Sequence, residues 1–153
     1  MKHLIKVVVL SLISSTVLAG GTHDDDMKYS VGKPGKDAPN RVIEVSMKDS
    51  MRFAFSPELA SLKDGETIEF RVRNDGQVQH EFSIGNSDDQ VKHAMMMKNM
   101  PNMKHKDPNT VSLAPGESDE LSWKFMGKDT VVFACNVPGH FEAGMKHILA
   151  ISH

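Results

Sequence analysis

Apolar and polar residues alternate along most of the chain after about residue 40. Alternation with a period of two predicts β-strands that bury one face. Clusters of Gly, Pro, Asn and Asp separate the alternating runs and predict turns. The apolar positions of these runs are Ile43, Val45 and Met47, Phe53 and Phe55, Ile68, Phe70 and Val72, Leu121, Trp123 and Phe125, and Val131, Phe133 and Cys135. Short strands of this kind predict an all-β fold, a sandwich or barrel of antiparallel strands.

The stretch 86–108 interrupts this alternation. It is rich in Met and His and contains no Leu, Ile or Phe, so it does not read as ordinary core. An insertion of this length in a compact domain is usually functional or mobile. We call it the Met/His-rich insertion, and we expect a short helix in it before Pro101.

The first residues have the pattern of a cleavable export signal, which we assign to residues 1–19. Lys2 and Lys6 give a positively charged start, and the apolar run that follows is shorter than the roughly 20 residues of a membrane span. Cleavage is expected after Ala19 or after Gly20. In a bacterial cell this signal predicts a periplasmic protein.

Residues 20–40 are rich in Gly, Asp, Lys and Pro, and we predict that they form a flexible lead-in to one domain at 41–153. The whole chain of 153 residues carries 18 basic and 20 acidic residues, a net charge of −2. This balance gives no electrostatic footprint for nucleic acid. No second long apolar run follows the signal, so we expect no membrane span in the mature protein.

Cys135 is the single cysteine of a chain that the signal sends to an oxidising compartment. It is therefore a buried inert thiol, half of an intermolecular disulfide or a metal ligand. Its neighbours favour the metal, because Cys135, His140 and Met145 follow one another with four residues between each pair. Upstream, strand alternation puts His80 on the same inward face as Phe82. Two strand ends and one loop can thus bring four donors together.

The chemistry of these donors indicates copper. Thiolate and thioether sulfur favour copper(I), whereas imidazole also accommodates copper(II). A structural zinc site usually has more Cys and no Met. Taken singly, His80 could be a hydrogen-bonded core residue, Met145 core filler and His140 an ordinary loop residue. Their combination with an unpaired exported Cys predicts a mononuclear copper site.

These motifs resemble those of the cupredoxins, the type 1 copper proteins such as plastocyanin, azurin and rusticyanin. The resemblance covers about residues 41–152 and implies a Greek-key β-sandwich with one type 1 copper per chain. It further implies that His80, Cys135 and His140 are equatorial ligands and that Met145 is the axial ligand. The residues that carry it are Phe55-Ser56-Pro57, Asp64-Gly65, His80-Glu81-Phe82 and the Cys-x4-His-x4-Met loop.

Within that family, the Met/His-rich insertion is most similar to the periplasmic copper-tolerance proteins. The sequence departs from the family at Glu81. Many cupredoxins have Asn directly after the first ligand His, and its side chain braces the loop that contains the Cys.

The insertion also suggests additional copper(I) binding. His93, Met97 and Met100 share one helical face, and Met96, Met100 and Met103 share another. The alternative is an apolar stripe that packs over the sandwich, since Met fills irregular gaps well. The candidate auxiliary ligands are His93, Met95, Met96, Met97, Met100, Met103 and His105.

A further hypothesis concerns the new N-terminus. Cleavage after Gly20 would leave Gly21-Thr22-His23, whose amine, amides and imidazole suit square-planar copper(II). Cleavage after Ala19 would place His23 fourth and remove this motif.

Three classes of function compete for this copper site. In the first, the protein serves copper tolerance by sequestering copper or by oxidising copper(I), which the excess of soft donors favours. In the second, it carries single electrons between redox proteins. The third, a copper enzyme, normally needs a second copper centre with several more His, and the sequence has no His-x-His pair. We therefore expect a non-enzymatic copper-tolerance protein whose partners are copper ions and a periplasmic redox or copper-handling protein.

Overall fold

A computed structural model describes residues 29–100 and 106–153 of the chain. The predicted export signal, the Gly21-Thr22-His23 motif and two candidate auxiliary ligands, Met103 and His105, lie outside the described residues.

The described residues form eleven strands and one helix. In chain order these are β1 (Gly32–Pro34), β2 (Arg41–Lys48), β3 (Arg52–Ser56), β4 (Leu62–Lys63), β5 (Thr67–Asn74), β6 (His80–Gly85), α1 (Ser87–Asn99), β7 (Lys106–Asp107), β8 (Thr110–Leu113), β9 (Ser118–Phe125), β10 (Thr130–Ala134) and β11 (Lys146–Ser152).

The strands build two sheets that share one core, which confirms the predicted all-β sandwich. One sheet has the order β1-β9-β5-β2-β3, and the other has the order β4-β11-β10-β6-β8-β7. The pairs β2–β5 and β4–β11 are parallel, whereas the other pairs in the two sheets are antiparallel. Apolar residues of both sheets belong to a single buried cluster.

Aromatic rings join the two sheets at the centre of this core. Phe70 on β5 lies 5.3 Å from Phe82 on β6 and 5.7 Å from Phe133 on β10, measured between ring centroids. Phe82 and Phe133 stack on each other at 5.5 Å. All three side chains are fully buried, and each such burial stabilises the fold by about 1.5–3 kcal/mol. This packing fixes β6 and β10 side by side.

The predicted short helix before Pro101 is confirmed as α1. Asn86 accepts a hydrogen bond from the backbone N–H of Asp89 at 2.9 Å, and the Asp89 carboxylate accepts one from the N–H of Asn86 at 3.1 Å. This reciprocal capping box starts the helix, and acidic residues in its first turn suit the helix dipole. α1 packs against β6 and β10. Among the described residues, no helix has the length and apolar character needed to cross a membrane.

The prediction of a flexible lead-in at 20–40 is wrong for part of that range. Strand β1 pairs with β9, Val31 is fully buried, and the Tyr29 ring packs edge-on against Trp123 at 5.0 Å. A three-residue edge strand is held by main-chain hydrogen bonds and shows no alternation, so its composition resembles that of a loop. The folded domain therefore includes residues before 41.

Candidate metal centre

The structure brings three of the four predicted ligands together at one end of the sandwich. His80 is the first residue of β6, Cys135 directly follows β10, and His140 lies in the loop after it. One donor atom from each lies within 4.8 Å of the other two. Cys135 Sγ is 3.3 Å from His140 Nδ1, and the two imidazole rings are 4.9 Å apart.

Backbone hydrogen bonds bring the end of the ligand loop at Met145 back to its start at Cys135. Gly139 has a φ of +88°, which permits the tight turn before His140. The N–H of Met145 donates to the carbonyl of His140 at 3.0 Å, and the N–H of Cys135 donates to the carbonyl of Met145 at 3.1 Å. Met145 is fully buried beside Cys135. The fourth predicted ligand is thus a direct main-chain neighbour of the thiol.

Arg52 on β3 supports the same loop from the other sheet. Its guanidinium donates to the carbonyl of Gly144 at 3.2 Å and of Ala143 at 3.4 Å. Gly144 has a φ of +100°, and a Cβ there would lie 2.6 Å from Arg52 Nη1. Glycine therefore allows the arginine to reach the loop just before Met145.

Burial favours the neutral forms of Cys135 and His140. Cys135 is fully buried, and burial raises the pKa of its thiol to about 12, although the backbone N–H groups of Glu81 and Val137 oppose this shift. Burial also lowers the pKa of His140, and the neighbouring His80 lowers it further. A metal cation is what ionises such a thiol, because ligands bind in their deprotonated form.

Asp49 orients His80, and sequence reasoning missed it. Asp49 Oδ1 lies 3.0 Å from His80 Nε2, and Asp49 Oδ2 accepts a hydrogen bond from the N–H of Gln77 at 2.7 Å. These contacts lower the pKa of Asp49, the Gln77 bond most. An ionised carboxylate places the imidazole proton on Nε2 and leaves a lone pair on Nδ1. Asp49 lies after β2, and no sequence spacing relates it to the other site residues.

The Nδ1 atom of His80 indicates whether the site suits a metal ion. His80 Nδ1 is buried and has no hydrogen-bond partner among the described residues. A buried polar atom without a partner costs about 1–3 kcal/mol. A metal ion bound by His80, Cys135 and His140 would remove this cost, and one thiolate with two imidazoles suits copper in both oxidation states.

The candidate auxiliary ligands do not share one environment. His93 is mostly buried, and its Nε2 lies 2.9 Å from the Glu81 carboxylate. Met97 is fully buried, whereas Met95 and Met100 are 63% and 41% exposed. Met96 is half-buried.

A two-sheet β-sandwich that gathers one thiol and two imidazoles at a loop is the architecture of a mononuclear copper protein. The sequence model described as "Copper binding proteins, plastocyanin/azurin family" matches residues 42–152. The chain belongs to this copper-binding family, as the resemblance to cupredoxins implied.

Relatives in sequence agree with this assignment, and a solved structure shares the fold. The chain is 42% identical over 116 residues to the copper-resistant cuproprotein CopI of Vibrio cholerae, covering 75% of this chain and 68% of the relative. It is 41% identical over 126 residues to CopI of Rubrivivax gelatinosus, covering 82% and 75%. Auracyanin B has the same fold, with a TM-score of 0.62 and 23% identity over 80% of this chain and 96% of the other.

We expect Asp49→Ala to weaken copper(II) binding by about 10–100-fold, because His80 loses the group that fixes its tautomer and ring orientation. Asp49→Asn is the matched control, since its amide oxygen still accepts from Nε2 and should keep affinity near that of the unchanged protein. Competition titration against a copper(II) chelator measures both. Equal affinity in Asp49→Ala and the unchanged protein would show that the contact does not orient a ligand.

Proposed function

We propose that this protein acts in copper tolerance in the periplasm, with one copper ion held in a type 1 site. In this proposal His80, Cys135, His140 and Met145 would hold the copper ion. The observation that carries it is the cluster of three donor atoms within 4.8 Å of one another, in which His80 Nδ1 has no other partner among the described residues.

The side chains around the ligands prepare this site. Copper, when bound, supplies one-electron chemistry between its two oxidation states. The sandwich core excludes water from Cys135, and Asp49 holds His80 in one tautomer. His140 is less buried than the other two, so its edge gives copper or a redox partner access from solvent. A site held this firmly changes little when an electron arrives or leaves.

The tolerance role is supported by the characterised relatives, which carry the name copper-resistant cuproprotein. Such a role requires either sequestration of copper or oxidation of copper(I). The alternative is a one-electron carrier that serves a periplasmic redox protein, which the same site supports. A multicopper enzyme normally needs a second copper centre with several more His, and the sequence has no His-x-His pair.

The visible spectrum tests the site itself. Copper(II)-loaded protein should show an intense thiolate-to-copper absorption band, and Cys135→Ala should abolish it while the fold persists. Circular dichroism of the variant verifies the fold. An unchanged band in Cys135→Ala would refute the ligand assignment.

Growth across a copper series tests the biological role. A strain lacking the gene should become copper-sensitive, and expression of the unchanged protein should restore growth. Respiration is measured in parallel, because a respiratory defect with normal copper tolerance would favour the electron carrier instead. Complementation with Cys135→Ala then shows whether protection requires the thiol.

Auxiliary copper(I) binding is a separate proposal, supported by the solvent-exposed thioethers of Met95 and Met100. Titration of copper(I) into Cys135→Ala should reveal residual binding, because soft sulfur donors favour this ion. Adding Met95→Leu and Met100→Leu, which keep the size and apolar character, should remove it. Residual binding that both leucines leave intact would assign it elsewhere.

A further inference from the structure

Glu81 is a fully buried acidic residue beside the copper ligands. Its Oε2 accepts a hydrogen bond from the Ser112 hydroxyl at 3.0 Å. Its Oε1 lies 2.9 Å from His93 Nε2 and 3.4 Å from Asn136 Nδ2. Its own backbone N–H donates to Cys135 Sγ at 3.3 Å. Two side chains thus donate hydrogen bonds to this carboxyl group, and the His93 imidazole lies at ion-pair distance from it.

Helix α1 contacts the surroundings of the copper ligands through Gln90 as well as through His93. Gln90 is buried, and its side-chain carbonyl accepts a hydrogen bond from Asn136 Nδ2 at 2.7 Å. Its amide donates to the carbonyl of Val132 on β10 at 2.7 Å. Because Asn136 directly follows Cys135, the helix is bonded to residues adjacent to two proposed ligands: Glu81 after His80 and Asn136 after Cys135.

We propose that Glu81 and His93 form a buried pair through which helix α1 positions the copper ligands and sets the balance between copper(II) and copper(I). This inference rests on the proposed function. It makes both residues positioning residues, and it assigns the His93 imidazole to Glu81 and not to an auxiliary copper ion.

His93 places a basic side chain directly beside the buried carboxyl group of Glu81. A buried carboxylate is costly unless it is paired and hydrogen-bonded, and His93 is the basic side chain in contact with it. Burial by itself lowers the pKa of His93. The hydrogen bond and negative charge of Glu81, with a smaller contribution from Asp107, outweigh burial and raise this pKa. The pair thus favours protonated His93.

The pair affects copper through charge. The oxidised site carries one more positive charge than the reduced site, so a nearby buried carboxylate favours copper(II) and a nearby imidazolium favours copper(I). A unit charge at close range in a protein interior changes an affinity ratio on the order of tenfold. Removing either partner should therefore shift the reduction potential, and the two shifts should have opposite signs.

The test measures two variants, Glu81→Gln and His93→Gln. The control is Glu44→Gln, which makes the same substitution as Glu81→Gln at an exposed position. Spectroelectrochemical titration at slightly acidic pH gives the reduction potential of each copper-loaded protein. We expect Glu81→Gln to raise the reduction potential, because it should lower the ratio of copper(II) to copper(I) affinity about tenfold. We expect His93→Gln to lower the reduction potential. Glu44→Gln should leave it near that of the unchanged protein.

A second readout does not require copper. In the metal-free protein, the double variant should lose no more thermal stability than the worse single variant, because both substitutions break one pair. Additive losses would overturn the pairing. Potentials that match Glu44→Gln, or that shift in the same direction in both variants, would overturn the electrostatic role. If the thiolate-to-copper band persists in either case, the proposed copper site stands without this inference.

Discussion

The confinement of polar donors in a dry pocket is the constraint on which the site depends. The side chains of His80 and Cys135 are both fully buried. The thiol has a pKa of about 12, and His80 Nδ1 lacks a partner among the described residues. The stacked rings of Phe82 and Phe133 hold β6 and β10 together next to these donors. Metal binding then ionises a thiol that the sandwich has already positioned.

The outer face of β6, beside this pocket, is also buried. All six residues of β6 are buried, including those of the face that points away from the sandwich core. Helix α1 packs against β6 and β10, with Gln90 and His93 directed to their polar groups. Low dielectric on both sides strengthens every electrostatic interaction there. The Met/His-rich insertion is therefore part of the surroundings of the site as well as a candidate copper(I) binder.

Local patterns in the sequence were enough to predict the sandwich and the convergence of three donors. Alternation identifies which face of a strand is buried, and it put His80 inward beside Phe82. Asp49 and the partner of His93 were not predictable in this way. Each contact joins residues far apart in the chain, 31 positions for Asp49 and His80, and no periodicity encodes it. Strand β1 was not predicted for a different reason. Its pairing with β9 uses main-chain atoms, which are the same in every sequence.

The departure from the family at Glu81 and the presence of the insertion can be explained together. An asparagine at this position braces the ligand loop as a neutral group and needs no counter-charge. A glutamate there can accept from Asn136, but a buried carboxylate is costly unless a basic side chain lies beside it. His93 supplies that side chain from α1, and Asn136 in turn donates to Gln90 of the same helix. In this chain, the residue after His80 therefore contacts helix α1 of the insertion as well as the loop that contains Cys135. Displacement of α1 would then break contacts made by Glu81 and Asn136, the residues next to His80 and Cys135.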